Sequence, residues 1–465
     1  MRKHSMHKMF AFSFIKYTQP AWQFNVKPDT GKSVPTAYFH PIFQPLKNEK
    51  ILEDKTYETE VARWADIGYR CWQGGYMVTC NLEARNKILA LPSPSLKDEY
   101  HFVAKYWGGF FSFYALICRL LSFKNPIKEF AAFSASFKIK KVNVFQQLVH
   151  DKDQYQQYKS PLISNQPFIS VIIPTLNRYQ YLKDALADLE QQTYSNFEVI
   201  IIDQSESFNK NFYDAFNFRI KVIPQKAKLL WTARNHAIES SNADYLLFFD
   251  DDSRVDPDWI EQHVKALDYY KADISAGVSL ATVGGKISAG YKYFKWADQF
   301  DSGNALVKRK VFEQIGLFDL QFNKMRQGDG EFGYRAFQNG IISVSNPLAF
   351  RIHLKVKDGG LREIGSWDGF RQKKFFQPKP VASVTFQYKK YLPGDLSSHA
   401  VLIGMLLSNV HLKHKKNKYM LMLSAVLFII KSPLLYLQYF RSKQIAMQML
   451  KHDNGIVMLK QRAEA

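Results

Sequence analysis

A chain of 465 residues exceeds one ordinary compact domain, and about two or three domains are expected. Hydrophobic residues make up 46% and charged residues 23%, enough apolar content for a true core, which excludes a wholly disordered chain. The net charge of +21 points to a polyanionic partner, nucleic acid or an anionic membrane surface; Cys71, Cys80 and Cys118 lack zinc-site or disulfide-framework spacing and suit a reducing compartment.

The N-terminus, MRKHSMHKMFAFSFIKYTQPAWQ, sets basic residues before the brief apolar run Met9–Ile15. No small-residue cleavage site follows, so a retained, cytoplasmic segment is expected. Residues 1–165 form an extension without an interpretable chemical motif. Within it, YWGGFFSFYALICRLLSF (106–123) is apolar but interrupted by Arg119, which suits membrane contact better than a spanning helix. The polar stretch 146–167 reads as a linker or exposed helix before a new domain.

From 168 the texture changes. FISVII (168–173), FEVIIID (197–203) and DYLLFF (244–249) are near-continuous apolar runs, as strands buried on both faces should be. Between the first two, Tyr181, Leu182, Ala185, Leu186 and Leu189 share one helical face. This alternation predicts βαβ units in a domain spanning 166–380, with ligands beyond the carboxyl ends of the strands. Thr175 to Arg178, Asp203 and Asp250 to Asp252 each follow a strand and so share one rim. Residues 381–465 form a helical region. Its apolar runs flank a lysine-rich stretch and are broken at Lys431-Ser432-Pro433, so 397–443 are expected to dock on an anionic membrane without crossing it.

The triplet Asp250-Asp251-Asp252 needs a cation, because adjacent unit charges repel by about 1 kcal/mol in water and several times more near a protein surface. Capping the next helix does not account for it, since Asp256 or Asp258 would serve. A divalent ion held by carboxylates, with phosphates and water completing its shell, would.

In chain order, SVIIPTLNRYQYLKDALADLEQQTYSNFEVIIIDQS, TARNHAI…ADYLLFFDDDSRVDPDWI and GNALVKRKVFEQIGLFDLQF…GDGEFGYRAFQNG resemble family 2 glycosyltransferases, nucleotide-sugar-dependent enzymes of the GT-A fold. The resemblance covers 168 to about 360. It implies an α/β, Rossmann-like domain with a mostly parallel central sheet flanked by helices, set between the N-terminal extension and the helical, membrane-associating C-terminal region.

By position, the resemblance implies donor contacts from Thr175, Arg178, Asp203, Arg234, Asp250 and Asp251. Asp203 would take the nucleobase, followed here by Gln204 and Ser205 where a second acid and a glycine are frequent. The base is thereby left open, with a UDP-sugar the expected donor. Asp252, Asp250 and His353 would ligate Mn2+ or Mg2+. Gly303 and Asn304 would line the acceptor site, and Asp329 would be the base with Glu331 as helper. Arg362, on a loop after His353, would add charge to the diphosphate, although a plain surface turn reads equally well. Gly328 departs from the family's acid before Asp329, and Trp231 stands where a small residue is usual.

The implied activity is metal-dependent, inverting hexosyl transfer to a glycan or lipid-linked acceptor in cell-surface polysaccharide synthesis, on the inner face of the cell membrane. The competing reading is a non-catalytic scaffold of the same fold. A nucleic-acid binder lacks a motif, and a nucleotidylyltransferase would need a Gly-rich, basic loop after the first strand.

Overall fold

The computed structural model describes residues 11–36, 53–146, 152–280, 286–356, 369–371, 375–411, 414, 417–452 and 455–460. The chain divides into one unit made of Met1–Val149 with Ser366–Asp453, and another made of His150–Gly365 with Asn454–Ala465.

The N-terminal part of the first unit pairs β1 (Val34–Pro35) with β2 (Thr79–Cys80) and carries α1 (Glu60–Gln73), α2 (Leu82–Ala90), α3 (Leu96–Tyr106), α4 (Gly109–Leu121) and α5 (Pro126–Ala135). Thr59, Asn81, Ser95 and Asn125 cap α1, α2, α3 and α5, each side chain satisfying an amide that the first helical turn leaves open. A buried charge must be paired, and Lys105 Nζ lies 2.7 Å from Asp54 and 2.8 Å from Asp66. Tyr57 and Tyr106 also donate to Asp66, at 3.0 and 2.6 Å.

The second unit opens with the short helices α6 (Lys152–Gln157) and α7 (Pro161–Ser164). Of the expected linker, residues 152–167 do not hang free. Tyr155 packs edge-on against Tyr269 and meets Phe294, while Asp268 accepts hydrogen bonds from Tyr158 Oη, Ser160 Oγ and Leu162 N. Polar composition concealed this, because the attachment uses tyrosines and one carboxylate rather than an aliphatic stripe.

The sheet elements follow in order: β3 (Ile169–Thr175), α8 (Tyr179–Glu190), β4 (Phe197–Asp203), β5 (Ile220–Pro224), α9 (Leu230–Ser240), β6 (Tyr245–Phe249), β7 (Ser253–Val255), α10 (Trp259–Tyr269), β8 (Ile274–Leu280), β9 (Lys295–Trp296), β10 (Asn304–Lys308), α11 (Arg309–Ile315), α12 (Gly328–Gln338) and β11 (Ser343–His353). Spatially the strands run β5-β4-β3-β6-β10-β8-β11-β7, with β9 beside β11. The half built from β5, β4, β3 and β6 is parallel, as the apolar runs predict. The other half is mixed: β10 is antiparallel to β6 and β8, and β11 is parallel to β8. Leu182, Ala185, Leu186 and Leu189 of α8 are buried as expected, while Tyr181 stays half-buried.

Asn304, expected at the acceptor site, belongs instead to the core. It is fully buried; its amide nitrogen donates to Val278 O and Ala349 O, and its oxygen accepts from Trp259 Nε1 at 2.9 Å and faces His263 Nε2 at 3.1 Å. Every polar atom of the side chain is engaged in joining β10 to α10 and to neighbouring backbone, so none is left for a substrate.

The C-terminal part of the first unit contains α13 (Ala382–Tyr391), α14 (Leu396–Leu407), α15 (Lys418–Ile430) and α16 (Ser432–Lys451). It packs with the N-terminal part: Lys16 Nζ lies 2.7 Å from Asp395, and the Tyr17 and His399 rings meet edge-on at 4.9 Å. Ala400, Val401, Ile403, Met405 and Leu406 of α14 are buried, so this piece of the expected docking stretch is core. Among the described residues no single helix is long and apolar enough to cross a membrane, and α15 and α16 meet at 76° at the predicted break.

Asn304→Ala is expected to lower unfolding free energy by at least about 2 kcal/mol, since several buried donors and acceptors lose their partner together. Urea denaturation checks this, and an unchanged midpoint would return Asn304 to the list of dispensable polar residues.

Candidate active site

Strand register assembles the site. The acid triplet follows β6 and precedes β7, which pairs antiparallel with the end of β11, setting His353 opposite Ser253. Leu354 N closes the junction by donating to Asp252 O at 2.9 Å. Separately, β10 pairs with β6 so that Asn304 faces Phe249, which brings residues 301–303 beside Asp250. Ligand atoms of Asp250, Asp252 and His353 thereby lie within 4.8 Å of one another, the set expected to hold a metal. His353 Nε2 stands 3.1 Å from Asp252 Oδ1.

The mutual repulsion of the three carboxylates is divided among different partners. Asp250 is flanked by Arg234 Nη2 at 3.0 Å and Arg351 Nη1 at 2.7 Å. Burial alone would raise its pKa, but the charges of Arg351 and Arg234 outweigh it and hold the carboxyl well below the usual range. Asp251 accepts from Thr175 Oγ1 at 2.8 Å and Arg178 Nη1 at 3.1 Å. Burial dominates there and pushes its carboxyl up to about 7 despite Arg178. Asp252 has Arg178 at 3.5 Å in addition to His353. Thr175, Arg178 and Asp251, read as donor contacts, are all buried, and Asp251 accepts hydrogen bonds from the other two.

Arg351 was not among the expected site residues. Its guanidinium is buried and donates to Asp250, to Ser253 Oγ and Ser279 Oγ at 2.8 Å each, and to Asp301 at 3.1 and 3.2 Å. The available signal was its spacing: two residues before His353 on one strand, it shares that residue's face. Asp301 was missed too. Burial would raise its carboxyl, yet Arg351 holds it below the ordinary value. Gly303, read as an acceptor contact, also provides clearance: a Cβ there would collide with Asp250 Oδ2 and Arg351 Nη1.

Asp329 sits in the first turn of α12, after the left-handed residue Gln327. It does not cap that helix. Ser302 N donates to its Oδ1 at 3.1 Å and Ser302 Oγ bonds the same oxygen; among the described residues no hydrogen bond is recorded to Oδ2. Burial pushes the carboxyl up to about 6, opposed by the charge of Arg234. Arg234 thus lies electrostatically between Asp250 and Asp329, with its guanidinium 5.2 Å from the Trp231 ring. The two departures from the family pattern are a single packing feature, because a Cβ on Gly328 would collide with the Trp231 indole. Glu331, expected to help the base, is fully buried and clasps Arg335 at 2.9 and 3.0 Å. Arg335 also donates to the carbonyls of Ile315, Gly316 and Leu317. That carboxylate is part of a structural ion pair, and a buried pair is costly to open.

Asp203 ends β4 as expected. Its Oδ2 accepts from Tyr179 Oη at 2.6 Å and Tyr213 Oη at 2.8 Å, and its Oδ1 from Ser205 N at 2.9 Å. Beside it, Gln204 Oε1 accepts from Leu229 N at 2.7 Å, while among the described residues its buried Nε2 has no partner. Arg362 lies outside the described residues.

Gly303→Ala should force the Asp250–Arg351 pair apart and cost about 1–3 kcal/mol of stability, as overpacking generally does. Equilibrium urea unfolding measures this; a wild-type midpoint would mean that the loop yields without strain.

Residues 170–328 match the model for glycosyl transferase family 2. The chain is 32% identical over 114 residues to glycosyltransferase GlyA of Streptococcus pneumoniae serotype 4, covering 23% of this chain and 16% of that protein. It is 27% identical over 174 residues to glycosyltransferase AglE of Haloferax volcanii, covering 34% and 55%. A mannosyltransferase from Pyrobaculum calidifontis, solved in complex with GDP-Man and Mn2+, is similar with a TM-score of 0.41 and 14% identity, over 65% of this chain and 93% of that one. The chain spans less than two thirds of the length of the first curated relatives it matches. Ordered motifs, sheet and family model agree: residues 170–328 form a glycosyl transferase family 2 domain.

Proposed function

We propose that this chain is a metal-dependent, inverting glycosyltransferase. It moves a hexosyl group from a nucleotide-diphosphate sugar, a UDP-sugar by preference, to a hydroxyl of a glycan or lipid-linked acceptor in cell-surface polysaccharide synthesis. The observation that carries this reading is the convergence of Asp250, Asp252 and His353, their ligand atoms within 4.8 Å of one another.

Two carboxylates and an imidazole fit a divalent ion of intermediate softness, and the mixed oxygen and nitrogen set suits Mn2+ better than Mg2+, which favours oxygen and water. When bound, such an ion supplies Lewis-acid stabilisation of the diphosphate. The remaining work falls to the chain. Arg351 and Arg234 fix Asp250, Arg178 and Thr175 fix Asp251, and Arg178 also steadies Asp252. Asp203, oriented by two tyrosines, is the base-recognising acid.

In the transfer, the acceptor oxygen attacks the anomeric carbon, whose bond to the diphosphate oxygen breaks, and that electron pair leaves with the nucleoside diphosphate. The hydroxyl proton passes to Asp329 Oδ2, and the anomeric configuration inverts. Ser302 holds the other carboxylate oxygen and so aims Oδ2. The scaffold reading rested on Gly328 and Trp231. Their mutual packing accounts for both and leaves Asp329 in place, which favours the enzyme.

A screen of nucleotide sugars for donor hydrolysis, with and without Mn2+, is the direct test. Asp252→Ala should retain the fold and lose metal-enhanced binding of the nucleoside diphosphate in calorimetry; equal wild-type affinity with and without EDTA would refute metal dependence.

Asp329→Asn should retain donor binding and lower turnover by roughly 10²–10⁴. The sign of the pH dependence follows from the carboxyl sitting at about 6: protonated below that value, it cannot accept a proton. Wild-type kcat/KM should therefore fall about tenfold per unit below that pH. In the Asn variant this acid limb should vanish. A profile flat through pH 5 in the wild type would move the base elsewhere.

A further inference from the structure

In α15 the ordinary arrangement of an amphipathic helix is inverted. Only Leu421 and Ser424 are buried, and Ser424 Oγ donates inward to Leu406 O. Outward stand Met422, Val426, Ile429 and Ile430, with Ile429 69% and Ile430 68% exposed. The face does not end there. On α4, which touches α15, Phe113, Ile117 and Leu121 recur every four residues and are all exposed. On α5, which packs against α4, Ile127 and Phe130 follow, and Phe123 in the connecting turn is 97% exposed. Water-soluble surfaces rarely leave so many large apolar side chains together, and such a patch marks a partner.

The charges around it have one sign. From Leu396 to Lys451 the chain contains no aspartate or glutamate. From 106 to 141 the single acid is Glu129, which is buried against Arg119 at 2.7 Å. Exposed Lys124, Lys128, Lys138, Lys418 and Lys431 stand on or beside the same three helices. A second copy of the chain is a poor occupant, because a two-fold contact would set lysines against lysines. Nor does α15 span a bilayer by itself: its 13 residues rise about 20 Å, short of the roughly 30 Å hydrocarbon core, and it reaches the length of a span only together with α16, from which it is bent by 76°.

We propose that α4, α5 and α15 together form a docking surface for an anionic lipid bilayer. Apolar side chains enter the boundary between headgroups and acyl chains, and the lysines meet lipid phosphates. This shifts the expected docking stretch: α14 leaves it for the core, and the N-terminal helices α4 and α5 join it.

The test is flotation of the full chain with vesicles of phosphatidylcholine alone, or of equal parts phosphatidylcholine and phosphatidylglycerol. The wild type should float with the anionic vesicles, weaken as salt rises, and stay down with the neutral ones. Lys124→Gln with Lys128→Gln and Lys431→Gln should weaken anionic binding about tenfold or more. Leu121→Asp with Ile429→Asp, both at exposed positions, should abolish it with an unchanged thermal unfolding midpoint. Absence of flotation overturns the proposal, as does an aspartate double variant that binds like the wild type. So does a dimer that this variant disperses, which would mean that a second copy covers the face, or resistance to alkaline carbonate extraction, which would mean a span. Hydrolysis of a nucleotide sugar by the same samples in solution reads the glycosyltransferase assignment separately, so failure of either is distinguishable.

Discussion

The guanidinium of Arg351 is the constraint on which the candidate site depends. One planar group bonds Asp250, Asp301, Ser253 and Ser279, joining β11 to the acid turn, to the loop before β10 and to β8. Arginine suits this position because its donors have a fixed fork geometry and its charge persists at any pH the protein meets. The clearance at Gly303 is a consequence, since side-chain atoms there would occupy the space of the pair. Removing one member of such a buried network leaves an uncompensated charge, which typically costs about 3–5 kcal/mol.

From this arrangement comes a division of labour in the acid triplet. Asp251 is turned to Thr175 and Arg178 and acts as a strut beneath the rim. Asp250 and Asp252 are steadied by arginines yet retain oxygen atoms close to His353. Adjacent carboxylates with unlike surroundings acquire unlike protonation, with Asp250 held low and Asp251 raised to about 7. Three identical side chains in a row are therefore three different groups.

α12 shows the same separation of roles within one helical turn. Asp329 is bonded through one oxygen to Ser302, whereas Glu331, two residues on, is sealed with Arg335 in the core. Trp231 fills the space that any side chain at 328 would need, so the floor beside Asp329 is an indole rather than a second acid. The small residue at 328 and the bulky one at 231, distant in sequence, share one space.

Much of the fold was legible in the sequence, because local chemistry specifies it. Apolar runs at β3, β4 and β6 marked strands buried on both faces, and the α8 stripe marked its buried side. Polar residues directly after those strands marked the rim at Thr175 to Arg178, Asp203 and Asp250 to Asp252, whereas Asp329 and His353 were candidates only through the family resemblance. What sequence alone left undecided was which of these carboxylates face one another and which are spent on structure. That depends on register between strands far apart in the chain: β11 against β7 delivers Arg351 and His353, and β10 against β6 delivers residues 301–303. The same holds for Asn304 and Glu331, whose residue types suit a site equally well until tertiary packing engages every one of their polar atoms. It holds also for α14 and α15, both apolar in composition: only the packing of the first unit turns one inward and the other outward, because a helix's pattern shows that it has an apolar face but not what covers it.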